Sequence, residues 1–172
     1  MPVVKTKGSA SSQGFGEFAQ ANAQANYIED VFSTYLYTGT SPTTQTITNG
    51  IDLSTKGGLV WAKSRTTGSS HYLYDTARGA QKVLRTNSTG AQLDDSAGGP
   101  TSGLYQFNTN GFTLGSDYSG EPNQNGSSMV SWTFRKQPKF FDVVTYTGNG
   151  TGNSTGKRWI NHNLQSVPGL SL

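Results

Sequence analysis

Two stretches of this chain carry the same strand-and-turn pattern, and that repetition constrains the fold more than any other feature. The first is Thr34-Tyr35-Leu36-Tyr37-Thr38-Gly39, followed by a polar loop, Ile47, Leu53 and Gly58-Leu59. The second is Val143-Val144-Thr145-Tyr146-Thr147-Gly148, followed by a polar loop, Ile160, Leu164 and Gly169-Leu170. The two Tyr-Thr-Gly tripeptides are separated by 146 − 37 = 109 residues, the size of a domain rather than of a solenoid repeat. One unit is therefore complete, and the residues after it read as the start of another. A unit suited to tandem repetition points to an extended surface protein more than to a metabolic enzyme.

The texture between the two copies is that of an all-β domain. Hydrophobic residues make up 32% of the chain and charged residues 13%, so the polarity resides in Gly, Ser, Thr and Asn. Core volume must then come from the 8 Tyr, 8 Phe and 3 Trp. Small turn formers combined with aromatic and β-branched residues specify many short strands joined by tight turns. The pattern predicts strands at 32–38, 45–48, 57–63, 71–75, 104–107, 111–115, 128–135 and 140–147, with loops over 86–103 and 116–127. The clearest hairpin is 105–114, where Asn110-Gly111 offers the positive φ angles of a tight turn. This number and spacing of strands favours an antiparallel sandwich or jelly roll. Pro138 falls between two strands, where no ladder hydrogen bond is lost.

Residues 1–16 are polar and rich in Gly and Ser, and are expected to be extended until a partner orders them. In residues 17–30 the Ala and Gln content favours a helix, with a stripe through Phe15, Phe18, Ala21, Ala25 and Ile28. The weakness of that stripe leaves a solvated linker as the alternative. The organisation read from the sequence is thus 1–31 as an N-terminal segment, 32–147 as the sandwich and 148–172 as the partial second unit.

Several function classes lose support on composition. There is no cysteine, which excludes a disulfide framework and a thiolate metal site. The net charge of +3 comes from scattered Lys and Arg, so nucleic-acid binding has no footprint. No apolar run approaches the roughly 20 residues of a membrane span, and the first residues lack the apolar core of a secretory signal. Glycan cleavage normally needs two carboxylates flanking the bond. The three glutamates, Glu17, Glu29 and Glu121, are not placed as such a pair. Asp94-Asp95 with Asp117 could offer oxygen ligands to Ca²⁺, but the spacing fits no calcium loop and solvated turn residues are preferred. His71, at a strand start, and His162, expected on a strand near a turn, have no partners for a metal or a nucleophilic triad. No catalytic residue, metal ligand or cofactor is assigned.

Alternation places Val130, Trp132 and Phe134 on one face of a strand, expected to be the core face, and Trp61 beside Leu59-Val60 is expected to be buried as well. Arg78 is expected to pair with Asp75 at a strand end. Trp159, next to Lys157-Arg158, and Tyr118 are the better candidates for an exposed glycan or interface contact.

Four phrases, in this order and spacing, bring in a known family. They are Gly57-Gly58-Leu59-Val60-Trp61-Ala62-Lys63, Asp75-Thr76-Ala77-Arg78-Gly79-Ala80, Phe107-Asn108-Thr109-Asn110-Gly111-Phe112-Thr113-Leu114-Gly115 and Val130-Ser131-Trp132-Thr133-Phe134-Arg135. Over about 32–147 the chain resembles an uncharacterised family of modules in tailed-bacteriophage virion proteins, often in tail fibres and in tandem, with a concanavalin A-like β-sandwich. The resemblance implies a virion structural protein without enzymatic activity, carried on a tail fibre or similar appendage and homo-oligomeric, by analogy trimeric. Its partners would be tail or portal-proximal proteins, reached through Phe15, Phe18, Tyr27, Ile28 and Phe32. A module binding host surface glycan and a capsid decoration protein are the alternatives.

Overall fold

The computed structural model describes residues 27–116, 122–148 and 160–168. A single helical turn, α1 (Ile28–Val31), leads into nine strands: β1 (Phe32–Thr38), β2 (Gln45–Thr48), β3 (Gly58–Ser64), β4 (His71–Asp75), β5 (Lys82–Arg85), β6 (Leu93–Asp94), β7 (Leu104–Asn108), β8 (Gly111–Leu114) and β9 (Ser128–Arg135). A 3₁₀ turn (Asp95–Gly98) follows β6. Six strands form one sheet in the order β1-β9-β3-β4-β5-β6, and three form a second in the order β2-β8-β7. All pairings between these strands are antiparallel. The fold is an all-β antiparallel sandwich, as the composition predicted.

Burial between the sheets is what makes these short strands stable, because no strand pair alone hides enough apolar surface. Ile47, Phe112, Leu104 and Leu114 from the small sheet pack with Val60, Tyr72, Tyr74, Val83 and Met129 from the large one. Ile51 and Leu53, in the β2–β3 connection, are fully buried and close one end of the core. Polar groups that enter this interior are paired, as buried polar atoms must be. The Tyr74 hydroxyl donates to Asp95 Oδ2 at 2.7 Å, and Asn49 Nδ2 donates across the sandwich to Thr133 Oγ1 at 2.8 Å. Tyr37, at the sheet edge, donates its hydroxyl to the Pro122 carbonyl at 2.8 Å, and burial pushes its phenol far above the usual range. Fully buried Asn123 staples the loop before β9: it donates to the Gly115 and Thr43 carbonyls and accepts from the Thr40 N–H.

The strands expected from alternation are present with one exception. Residues 140–147 form no strand and contribute only an isolated antiparallel bridge, Gln137 to Phe141. The physical reason lies in β1, whose every residue is paired with β9 from Phe32↔Phe134 to Thr38↔Ser128. Strand character is a property of the pair, and residues 143–148 meet no such partner among the described residues. The segment 86–103 is less of a loop than its Gly and Ser content implied, since it contains β6 and the 3₁₀ turn, and β5 precedes it. His162 is exposed and lies outside any strand. Of the expected N-terminal helix only α1 falls among the described residues.

The β7–β8 hairpin is present with Thr109-Asn110 as its two-residue loop, but the reason for its glycine differs from the expectation. Asn110 does not take a left-handed φ; Gly111 does, at +137°. A Cβ on Gly111 would lie 1.9 Å from the Ile47 carbonyl oxygen. The position must be glycine because β2 approaches the backbone there, more than because of the turn.

Candidate functional site: an aromatic outer face

The register of the large sheet determines which side chains meet the core. Val60, Ala62 and Ser64 of β3 pair with Thr133, Ser131 and Met129 of β9, and this set faces the small sheet. The alternate set therefore points away from the core. Phe32, Phe134, Leu59 and Asp75 form one outward row, and Thr34, Trp132, Trp61, Leu73 and Leu84 form the next. Val130, Trp132 and Phe134 do share a face, but it is the outer one, which corrects the expectation that they and Trp61 fill the core. Hydroxyl-bearing Ser131 and Thr133 occupy the inner positions instead, both fully buried. Alternation identifies which residues sit together; it does not tell inside from outside when the second set is small and uncharged.

On this outer face Trp61 and Trp132 are directly cross-strand, with ring centroids 5.4 Å apart at 54°. Such tilted pairs add about 0.5–1.5 kcal/mol beyond the area they bury. Trp61 Nε1 is fully buried and finds no acceptor among the described residues. Phe32 and Phe134 lie 4.9 Å apart, Phe134 and Phe141 5.2 Å, and Phe141 and Phe140 6.5 Å. A continuous run of aromatic rings thus leads from the first strand, over the last strand, to the segment beyond it. Leu36 remains 57% exposed at the edge of this face, so the apolar surface continues past its own cover.

The chain after β9 returns across that face. Lys136 Nζ lies 2.8 Å from Asp142 Oδ1. Asp142 Oδ2 accepts from the Asn163 N–H at 2.7 Å, and the Lys139 N–H donates to the Leu164 carbonyl at 2.7 Å. Burial pushes the Asp142 carboxyl up, but the Asn163 N–H and the Lys136 ammonium outweigh it, and the group sits below the usual carboxylate range. Beyond Asp142, residues Val143–Tyr146 enclose an open recess of about 570 Å³ with Arg78, Leu84 and Gln92.

The outer face of the small sheet has the opposite chemistry. Thr46, Thr48, Gln106, Asn108 and Asn110 line a shallow recess of about 430 Å³. Asn108 Nδ2 donates to Thr113 Oγ1 at 2.8 Å, which holds part of this polar surface in place.

The remaining candidates from the sequence fall as follows. Tyr27 and Ile28 are 62% and 60% exposed at the entry to β1, whereas Phe32 is half-buried against Phe134. Phe15, Phe18, Tyr118 and Trp159 lie outside the described residues. Asp75 Oδ2 and Arg78 Nη2 are 2.6 Å apart, the ion pair expected at the end of β4. Asp94 and Asp95 diverge: Asp94 pairs with Lys82 and caps the 3₁₀ turn, while Asp95 is buried on Tyr74. The Lys82 contact and the Ser96 hydrogen bonds take the exposed Asp94 carboxyl down to about 2. Among the described residues no three His, Asp or Glu side chains form a group that could hold a metal ion. No described helix is long and apolar enough to cross a membrane.

Alternation in β3 contained the signal for this face, because both of its residue sets, Leu59/Trp61 and Val60/Ala62, are apolar. A strand apolar on both sides has both sides covered. The protein is thus an antiparallel β-sandwich whose larger sheet carries an aromatic contact face as well as a core. It belongs to the family described as a domain of unknown function, DUF7483, which matches residues 28–170. That span opens at α1 and includes the segment that returns over the outer face. No curated protein and no solved structure matches the chain.

Proposed function

We propose that the chain is a non-enzymatic structural protein of a bacteriophage virion, a module of a tail fibre or tail appendage attached through residues 1–31. The observation that carries this reading is the aromatic outer face. A sheet that presents paired tryptophans and a run of phenylalanines on the side away from its core is built to be covered by protein. Tyr27 and Ile28, exposed where the N-terminal segment enters β1, suit a segment that docks on another virion protein. Phe15, Phe18 and Phe32 complete the proposed docking set, and assembly as a homo-oligomer, by analogy a trimer, follows from fibre architecture.

The test is cross-linking mass spectrometry on intact particles through Lys5 and Lys7. Cross-links to tail or baseplate proteins are expected. Cross-links to the major capsid protein would replace this reading with a capsid decoration protein, and absence of the chain from particles would overturn virion attachment.

A second reading, binding of host surface glycan, is favoured by the hydroxyl- and amide-lined recess on the small sheet. Polar side chains on a rigid sheet match the donors and acceptors of a saccharide. It predicts retention of the protein on susceptible cells and loss of retention in Asn108→Ala.

A further inference from the structure

The repeat extends one residue group further than the tripeptides, and the structure gives its positions unequal surroundings. At the spacing 141 − 32 = 109, Phe141 matches Phe32, Tyr146 matches Tyr37 and Gly148 matches Gly39. In β1 each of these residues has a local reason. The Phe32 ring packs on Phe134 at 4.9 Å. Tyr37 is buried in the core edge with its hydroxyl on the Pro122 carbonyl. A Cβ on Gly39 would lie 2.1 Å from the Gln124 carbonyl oxygen, so only glycine lets the two backbones approach.

In the copy only the first of these reasons is present. Phe141 also packs on Phe134, at 5.2 Å, on the same ring as Phe32. Tyr146, in contrast, is 63% exposed, and a Cβ on Gly148 would meet nothing within 4 Å. The tyrosine and the glycine thus carry the specifications of a β1 seat that their present surroundings do not impose.

We propose that Phe141 is a ring shared between two consecutive copies of this module, and that the outer face of β9 at Phe134 seats the first strand of the following copy. Residues Phe141–Gly148 then form that strand on the following copy's own β9 equivalent, with Tyr146 in its core edge and Gly148 against its loop. The partner of the aromatic outer face is a second copy of the same module. This rests on the reading of the chain as a tandem structural module. The connection is short and held at several points: the Lys136–Asp142 pair, the Asn163 N–H on Asp142 and the Lys139 N–H on the Leu164 carbonyl. A link fixed by an aromatic stack, an ion pair and backbone hydrogen bonds sets one orientation between copies, giving a stiff rod rather than freely hinged beads.

The test keeps the whole chain and completes the second copy. Because Gly169-Leu170 matches Gly58-Leu59, Leu172 stands at the place of Trp61, and residues 62–148 are appended directly after it. Nuclear magnetic resonance is expected to show two folded sandwiches whose residual dipolar couplings fit a single alignment tensor. Tyr146→Ala in the extended chain is expected to lower the unfolding midpoint of the second copy and leave that of the first unchanged. Failure of the appended residues to fold, or two folded copies with separate alignment tensors, would overturn the proposal. Neither result depends on particle attachment, so cross-linking on particles and this experiment fail independently.

Discussion

The two faces of β9 solve the same packing problem in different ways. Inward, Met129, Ser131 and Thr133 are small or flexible, and the volume above them is filled by Phe112, Ile47 and Leu114 arriving from the other sheet. Outward, Val130, Trp132 and Phe134 are large, and their neighbours are rings from the same sheet and from the chain that follows it. The inner face is a layer interface, where small residues on one side accommodate large ones on the other. The outer face is a set of cross-strand pairs whose cover is a single irregular segment. A face covered this way keeps part of its apolar area available, which is why it, and not a cleft, is the candidate site.

That contrast is open to direct attack by substitution. Phe112→Ala removes a fully buried ring from the layer interface, and urea unfolding should show a loss of about 3–5 kcal/mol. Trp132→Ala removes a half-buried ring from the outer face and should cost about 2 kcal/mol, because that ring is only partly withdrawn from water. An equal loss in the two variants would mean that the outer face is a second core and not a contact surface. The smallest effect is expected at the returning segment. The Asp142 carboxyl is held below its ordinary range, so its stabilising contacts are complete above the unfolded-state value near pH 4 and are lost as pH falls through the folded value. Hydrogen exchange at the Lys139 and Asn163 amides should therefore accelerate below about pH 4 while the β3 and β9 amides stay protected. Acceleration of all of them together would show that the segment and the sandwich open as one unit.

Much of the scaffold was legible in the chain because strands of this kind announce themselves locally. Alternation delimited β1, β2, β4 and β9 within a residue, and the Asp75–Arg78 pair could be read from a strand end followed by a turn. The errors have particular causes. β5 and β6 are short, and their residues, Lys82-Val83-Leu84-Arg85 and Leu93-Asp94, look like loop until the β4 edge offers them a ladder. Residues 140–147 fail in the opposite sense, with strand-like composition and no ladder to join. The aromatic face was half legible: the grouping of Val130, Trp132 and Phe134 was correct and its direction was not. Asn123 was invisible, since nothing in a Pro-Asn-Gln-Asn-Gly loop shows which amide will be buried on three backbone groups.

What the amino-acid sequence determined by itself is the all-β class, the positions of most strands, and the recurrence of one strand pattern 109 residues on. These depend on short-range rules: side chains alternate every second residue, and turns need Gly, Asn or Pro. Only the tertiary structure decided which of two apolar faces of β9 meets the small sheet, and that Phe32 and Phe141 come to one ring. Both depend on which strands pair across about a hundred residues of chain, and no local rule specifies a partner at that distance.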